Sequence, residues 1–457
     1  MGTGKAPVEY HADSNVLSPL HNLEVPIVFL GAFEDDFLNT EEVLNILKDK
    51  FPGVYFKPYN INSIDEAYAF LEAERNAIGY IIFNVRVVHQ GVVRALIKSG
   101  KPILYIARTM EGSPNYLMDV VEAKKRGYPV LSIATEDVLS DAVLNKVKYL
   151  VALSKIRGSK VLIITAKNLI NYMSWAFPNA TELSKAVAEL QRRFGLTVNF
   201  MELKDFIDKY YSKVTDAEAE VWVNMWIREA SQVVDPSRID LIKAAKLYLA
   251  LLRVARERGA NVVAYDCIMN VSTGLIDSWP CLGYMQLWYD DLIPVCEADL
   301  YSILPLLIGK YLFGRPGYVN DPGVDEINNS FVYWHCYAPT NPHGSNRPEV
   351  PYIITDAHGG GKHASIHVKL PVNEPATVMS YNPVTNVLSL HVVKTIDNIY
   401  WKQLCATKLV AVGDAKRVAA KWVSENGYHR VLIYGDFREE VKEFAILLGI
   451  KVVEEDQ

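Results

Sequence analysis

Between residues 25 and 155 short apolar runs alternate with amphipathic segments, and this alternation constrains the fold more than any other feature of the chain. VPIVFLGAF, VYFKPYNI, AIGYIIFNV, KPILYIAR and PVLSIAT read as strands. Between them, EEVLNILKDKF, SIDEAYAFLEAE, QGVVRALIKSG and YLMDVVEAKKRG carry apolar residues at helical spacing. Strands apolar throughout are buried on both faces, which is the mark of a parallel sheet covered by helices. A second unit of this kind starts at KVLIITA. It runs on through ELSKAVAELQRRFG, TVNFMEL, a helix-rich stretch over 217–259 and the strand NVVAYD. After Gly317 long helices vanish; SFVYWHCYAP, VPYIITDAH, ASIHVKLP, ATVMSYNP and VLSLHVVKT are β-like, and helix-strand-helix texture returns only from KRVAAKWVSENG onward. The pattern predicts an α/β protein with two doubly wound parallel-sheet (Rossmann-like) domains, over 22–157 and 158–325. A mostly β domain over 326–457 with a closing α/β segment completes it. A chain of 457 residues is long enough for several domains.

Composition excludes some functions. A net charge of -6 lacks the basic footprint of a nucleic-acid binder, so no nucleic-acid partner is expected. No uncharged apolar run reaches the length of a membrane span, so no membrane partner is expected either. The start, MGTGKAPVEYHADSN, lacks the apolar core of a signal peptide, and Ala6 stands where a myristoylation pattern needs Ser or Thr. Cys267, Cys281, Cys296, Cys336 and Cys405 are odd in number and form no C-x-x-C pair, which fits a reduced interior. These features together predict a cytoplasmic protein.

Polar chemistry gathers late in the chain. In PCLGYMQLWYDDLIPVCEADLYSILPLLIGKYLFGRP, Glu297 and Asp299 stand between a short apolar strand and a long apolar helix. Charged side chains are seldom buried without a partner, and a strand-to-helix corner is where α/β proteins place ligands. The plainer reading is a capped helix, since acidic groups suit a helix N-terminus. Most of the ten histidines lie in the C-terminal third, and imidazole with carboxylate suits a divalent transition metal. His367 and His391 alternate with apolar neighbours and read as hydrogen-bonded structural residues. His335 ends a predicted strand, His358 begins the loop HGGGKH and His429 opens HRVLIYGD, which makes these three the better candidates. The glycine triplet 359–361 lacks the Lys-Ser/Thr ending and the helix of a phosphate-binding loop.

These same segments resemble the L-fucose isomerase and L-arabinose isomerase superfamily, in particular its fucose-isomerase-like group. In that group a Pro-Cys leads a helix, an acidic turn follows, then a Cys-Glu-x-Asp and a helix ending near Phe-Gly-Arg-Pro. FVYWHCYAPT is similar to the group's His-Cys-x-x-Pro-Thr, DAHGGGKHASIHVKLPVNEPATVMSYN to its His-x-x-Gly segment, and GYHRVLIYGDFREEVKEFAILLGI to its closing strand and helix. The motifs span 261–452; before that only the α/β texture matches. The resemblance implies a metal-dependent aldose-ketose sugar isomerase that works through a metal-stabilised ene-diolate, commonly with Mn²⁺. It further implies a small-molecule sugar substrate and a homo-oligomer, trimer or hexamer, in which one subunit's N-terminal domain covers a neighbour's site. By motif position Glu297 or Asp299 would be a carboxylate ligand and His429 the histidine ligand. His335 and His358 would bind substrate oxygens or assist the metal.

One position departs from the pattern. Catalytic members carry a first Glu ahead of the Pro-Cys; counting back from Pro280, Asn270 stands there. An amide cannot act as a base, so the proton transfer would fall to Asp266 or to Glu297 or Asp299, with Asn270 left to contact substrate. Two rival readings follow from Asn270: a non-catalytic sugar-binding or regulatory protein on the same scaffold, or a metal-assisted carbohydrate enzyme of another reaction type.

Overall fold

The computed structural model describes residues 23–31, 38–166, 180–356, 363–401 and 404–457. The first sheet contains β1 (Leu23–Leu30), β2 (Val54–Ile61), β3 (Tyr80–Asn84), β4 (Ile103–Arg108) and β5 (Val130–Thr135). Its order is β2-β1-β3-β4-β5 and every pairing is parallel. The apolar runs explain this: β3 is buried along its whole length, and two separate cores flank the sheet. Helices Ile64–Ala73 and Gln90–Lys98 lie in one of these layers, and Thr40–Lys50 and Asp141–Arg157 in the other.

The second sheet contains β6 (Lys160–Thr165), β7 (Thr197–Glu202), β9 (Val262–Tyr265) and β10 (Ile293–Cys296) in the order β10-β9-β6-β7, again all parallel. Read from their own first strands, the two sheets share the order 2-1-3-4, although no sequence repeat is visible between them. In both, the chain reverses its direction of winding beside the first strand. That crevice at the strands' carboxyl ends is where doubly wound sheets take ligands. Capping boxes at Ser63, Thr215 and Ser237 start three of the helices where a Ser or Thr precedes an acidic residue at the third helical position.

The C-terminal region is a closed barrel. β11 (Tyr318–Asp325), β12 (Ser330–His335), β15 (Pro375–Asn382), β16 (Val387–Asn398), β17 (Thr407–Val412) and β18 (Arg430–Tyr434) pair antiparallel in the order β15-β18-β11-β12-β17-β16, and β16 returns to β15. β19 (Lys451–Glu454) joins β16 in parallel. A small sheet of β8 (Gln232–Val233), β13 (Tyr352–Thr355) and β14 (Ser365–Val368) ties the middle of the chain to the barrel. The change of texture after Gly317 coincides with the start of β11, so the first barrel strand lies ahead of residue 326. Among the described residues no helix is long and apolar enough to cross a membrane.

Helix Asp141–Arg157 binds the first unit to the rest. Tyr149 stacks on Phe444 at 6.0 Å, and Glu443 accepts hydrogen bonds from Lys146 and Tyr149 at 2.6 and 2.7 Å. The apolar helix Leu300–Leu312 packs between that helix and the barrel strand β15.

Candidate active site

The carboxyl edge of the second sheet meets the rim of the barrel at one cluster of acids and imidazoles. Glu297 follows β10 directly. Both it and Ala298 sit in the left-handed backbone region, at φ 55° and 53°, before Asp299 caps helix Leu300–Leu312. Two successive left-handed residues that are not glycine cost roughly 1–3 kcal/mol each, and such costs persist where the surroundings impose them. The barrel contributes neighbouring strands. His335 is the last residue of β12, Asp321 lies in β11 opposite Trp334, and His429 immediately precedes β18.

The distances are short and mutual. Glu297 Oε1 lies 3.6 Å from His335 Nε2, and Glu297 Oε2 lies 3.5 Å from His429 Nε2. Asp321 Oδ1 approaches the same His429 Nε2 at 3.4 Å, while Asp299 Oδ2 faces Nδ1 on the other side of the ring at 3.4 Å. The two imidazoles meet edge to face, 5.3 Å between centroids. One ligand atom each from Glu297, His335 and His429 falls within 4.8 Å of the others, an arrangement able to hold a metal ion.

Burial sets the electrostatics. It pushes the Glu297 carboxyl up to about 7 against the pull of His429. It pushes Asp321 up to about 6 in the same way. Burial alone would lower His429, but Asp299 first, then Glu297 and Asp321, raise it well above an ordinary imidazole. Asp299 is buried too, yet it is held low by His429, by Ser302 Oγ donating at 2.5 Å and by the Tyr301 amide at 3.1 Å.

The sequence-derived candidates therefore divide. Glu297, His335 and His429 come together, with Asp299 behind His429. Asp266 ends up buried where β9 meets β6, accepting a hydrogen bond from Thr165 Oγ1 at 3.0 Å. It lies at the winding reversal of the second sheet, and Cys267 beside it feels the charges of both Asp266 and Glu297. Asn270 is fully buried and donates its amide to the Ile164 carbonyl at 3.1 Å, stapling the following helix to the end of β6. His358 lies outside the described residues, as does the glycine triplet after it. His367 donates from Nδ1 to the Ala406 carbonyl at 3.1 Å, and His391 lies between Tyr333 and Glu455, so both serve the barrel interior. Asp321 is the residue that sequence reading missed. Its segment, Asn-Asp-Pro-Gly, has turn composition, and nothing local marks it as a strand. All five cysteines are buried thiols.

No protein-family profile matches the chain. Sulfoquinovose isomerases of Priestia megaterium and Priestia aryabhattai are each 27% identical to it over 154 residues, covering 33% of this chain and 33% of theirs. The sulfoquinovose isomerase of Alkalicoccus urumqiensis is 26% identical over 154 residues, 33% of this chain and 34% of its own. The match thus spans about a third of the length of these curated relatives.

Proposed function

We propose that this chain is an aldose-ketose sugar isomerase that uses a divalent metal. The observation that carries the reading is the trio of Glu297, His335 and His429, the first and last partly exposed and His335 buried, at the junction of sheet edge and barrel rim. The similarity to sulfoquinovose isomerases over part of the chain supports the same class.

The donor set fits a metal. Two imidazole nitrogens and one carboxylate oxygen suit Mn²⁺, Co²⁺ or Zn²⁺. Separations of 3.5 and 3.6 Å between donor atoms are of the size that two ligands of one ion present when each bond is about 2.1 Å. Glu297, His335 and the Nε2 of His429 would hold the ion, with Asp321 beside them. Asp299 binds Nδ1 and thereby fixes the tautomer that leaves Nε2 free to ligate, the usual carboxylate–histidine arrangement behind a metal. When bound, such an ion polarises the carbonyl and a neighbouring hydroxyl of the sugar.

Isomerisation moves one hydrogen between the first two sugar carbons and one between their oxygens, so nothing is consumed. The carbon-bound proton needs a carboxylate, and Asp266 at the winding reversal is the group we assign to it, with Thr165 fixing its orientation. Asn270 holds the edge on which Asp266 stands. A sugar-binding protein without turnover is favoured by one observation only, the amide at Asn270.

The test is a panel of aldoses and ketoses, sulfoquinovose included, incubated with the protein and Mn²⁺ in D₂O and followed by NMR. Interconversion with solvent deuterium entering at carbon is expected, and chelation should abolish it. Stoichiometric metal binding without turnover on any sugar would favour the binding protein, and neither metal nor turnover would overturn both. The assembly we expect is a homo-oligomer, trimer or hexamer, and light scattering from a stable monomer at micromolar concentration would remove it.

A further inference from the structure

His429 does not hold its place alone. The next residue, Arg430, is fully buried, and its guanidinium spans three groups at once. Nη1 donates to the carbonyls of Gly427 and His429 itself at 3.0 and 3.1 Å, and Nη2 donates to Glu455 Oε1 at 3.0 Å. Its flat face lies on the Trp422 ring, 3.5 Å from the centroid. Gly427, at φ 71°, supplies the left-handed residue that begins the turn. The two carbonyls bracket the segment 427–429, so Arg430 fixes the direction in which the His429 ring leaves the backbone.

Arg430 is in turn fixed by the end of the chain. Glu455 is fully buried just past β19. One of its oxygens takes Arg430 and the Val423 amide at 3.1 Å, and the other meets His391 Nδ1 at 2.9 Å. His391 Nε2 then contacts the Tyr333 hydroxyl at 3.0 Å. A lysine in place of Arg430 has no planar fork with which to bridge the carbonyls and the carboxylate together.

We propose that Glu455, acting through Arg430, is a positioning residue for His429, so that docking of the segment after β19 into the barrel sets the geometry of the metal-holding cluster. The inference rests on the reading of His429 as a ligand. A merely structural ion pair would stabilise the barrel and leave the imidazole where it is. The neighbouring tail carboxylate Asp456 provides the contrast, because it pairs with Arg438 and the Val392 amide and does not touch Arg430.

The experiment compares Glu455→Gln and Arg430→Lys with Asp456→Asn in the full-length protein, at a temperature where circular dichroism shows each variant folded. Mn²⁺ affinity is measured by titration, and the His429 ring is followed by the ¹⁵N signals of labelled histidine. Glu455→Gln and Arg430→Lys should each weaken Mn²⁺ about tenfold or more, as loss of a residue supporting a ligand does. They should also displace the His429 signals, whereas Asp456→Asn should leave both readouts at the wild-type values. Unchanged Mn²⁺ affinity in the first two variants, or equal weakening in all three, overturns the inference. If the wild type binds no Mn²⁺ the metal reading fails by itself. The histidine signals then decide: displacement confined to Glu455→Gln and Arg430→Lys upholds the positioning role, and its absence ends it. Should one of these variants fail to fold, the other decides on the same criteria.

Discussion

Within the segment 297–299 two carboxylates reach the same histidine from opposite sides of its ring, Glu297 at Nε2 and Asp299 at Nδ1. Their spacing in sequence does not foretell that division. It arises because the left-handed pair at 297 and 298 turns the chain between them. The carboxylates and histidines that stand at strand ends, Glu297, His335 and His429, could be picked out from sequence because an apolar run stops there and a polar group begins. Asp321 could not, since its strand is written in turn residues. The roles proposed for these groups separate by measurement. Glu297→Gln keeps the volume but removes the anionic donor, so stoichiometric Mn²⁺ binding and turnover should both be lost; full metal occupancy in this variant would remove Glu297 from the site. Asp266→Asn should behave differently, lowering turnover by roughly 10²–10⁴-fold while leaving metal affinity intact. Turnover indifferent to this change would show that the base lies elsewhere, and Asp321 would be the next carboxylate to test.

At the scale of elements, the helix Leu300–Leu312 begins at a residue with two sets of contacts. Asp299 caps it through the Tyr301 amide and also accepts from Ser302, while facing His429. The plainer expectation for an acidic residue at this corner, a capped helix, holds for Asp299, and the role toward a metal is the one proposed for the same carboxylate. Substitution can part them. Asp299→Asn keeps an oxygen for the cap but gives up the charge opposite His429 Nδ1, so metal affinity should fall about 10–100-fold with the cap retained. Asp299→Ala should lose the same affinity and, in addition, about 1 kcal/mol of stability for the lost cap. If the two variants share one metal affinity with the wild type, Asp299 is a cap and nothing more. Most strands and helices of the parallel units were legible, because a short run such as YIIF is apolar at every position and reads as a doubly covered strand. The segment YLMDVVEAKKRG was legible only as helical. A π-turn over Tyr116–Val120 and a helix over Val121–Lys125 share it, preceded by a short helix over Ser113–Asn115, and no periodicity separates these forms.

For the whole molecule, what sequence could not supply was closure. That β16 returns to β15, and that the last residues of the chain enter the barrel to meet Arg430, depend on pairings between distant segments with no local signal. Glu455 looks, in VVEEDQ, like part of a solvated acidic tail, yet it is fully buried. Its burial makes stability depend on pH with a definite sign. Burial alone would raise the Glu455 carboxyl, but the His391 hydrogen bond and the Arg430 charge outweigh it and hold the group below the usual carboxylate range. A depressed carboxyl contributes stability that is fully present above its unfolded value, about 4.3, and is lost as pH falls through the lower folded value. Asp290, pushed up by burial, acts with the opposite sign but is common to wild type and variant. Glu455→Gln should therefore cost on the order of 3–5 kcal/mol at neutral pH, as breaking a buried pair does. That deficit should shrink steadily on acidification, until wild type and variant melt together once the carboxyl is protonated in both states. Thermal melts of the two proteins from neutral to acid pH measure the convergence. A deficit that stays constant across the acid range would mean that the charge of Glu455 is not what holds the tail in the barrel.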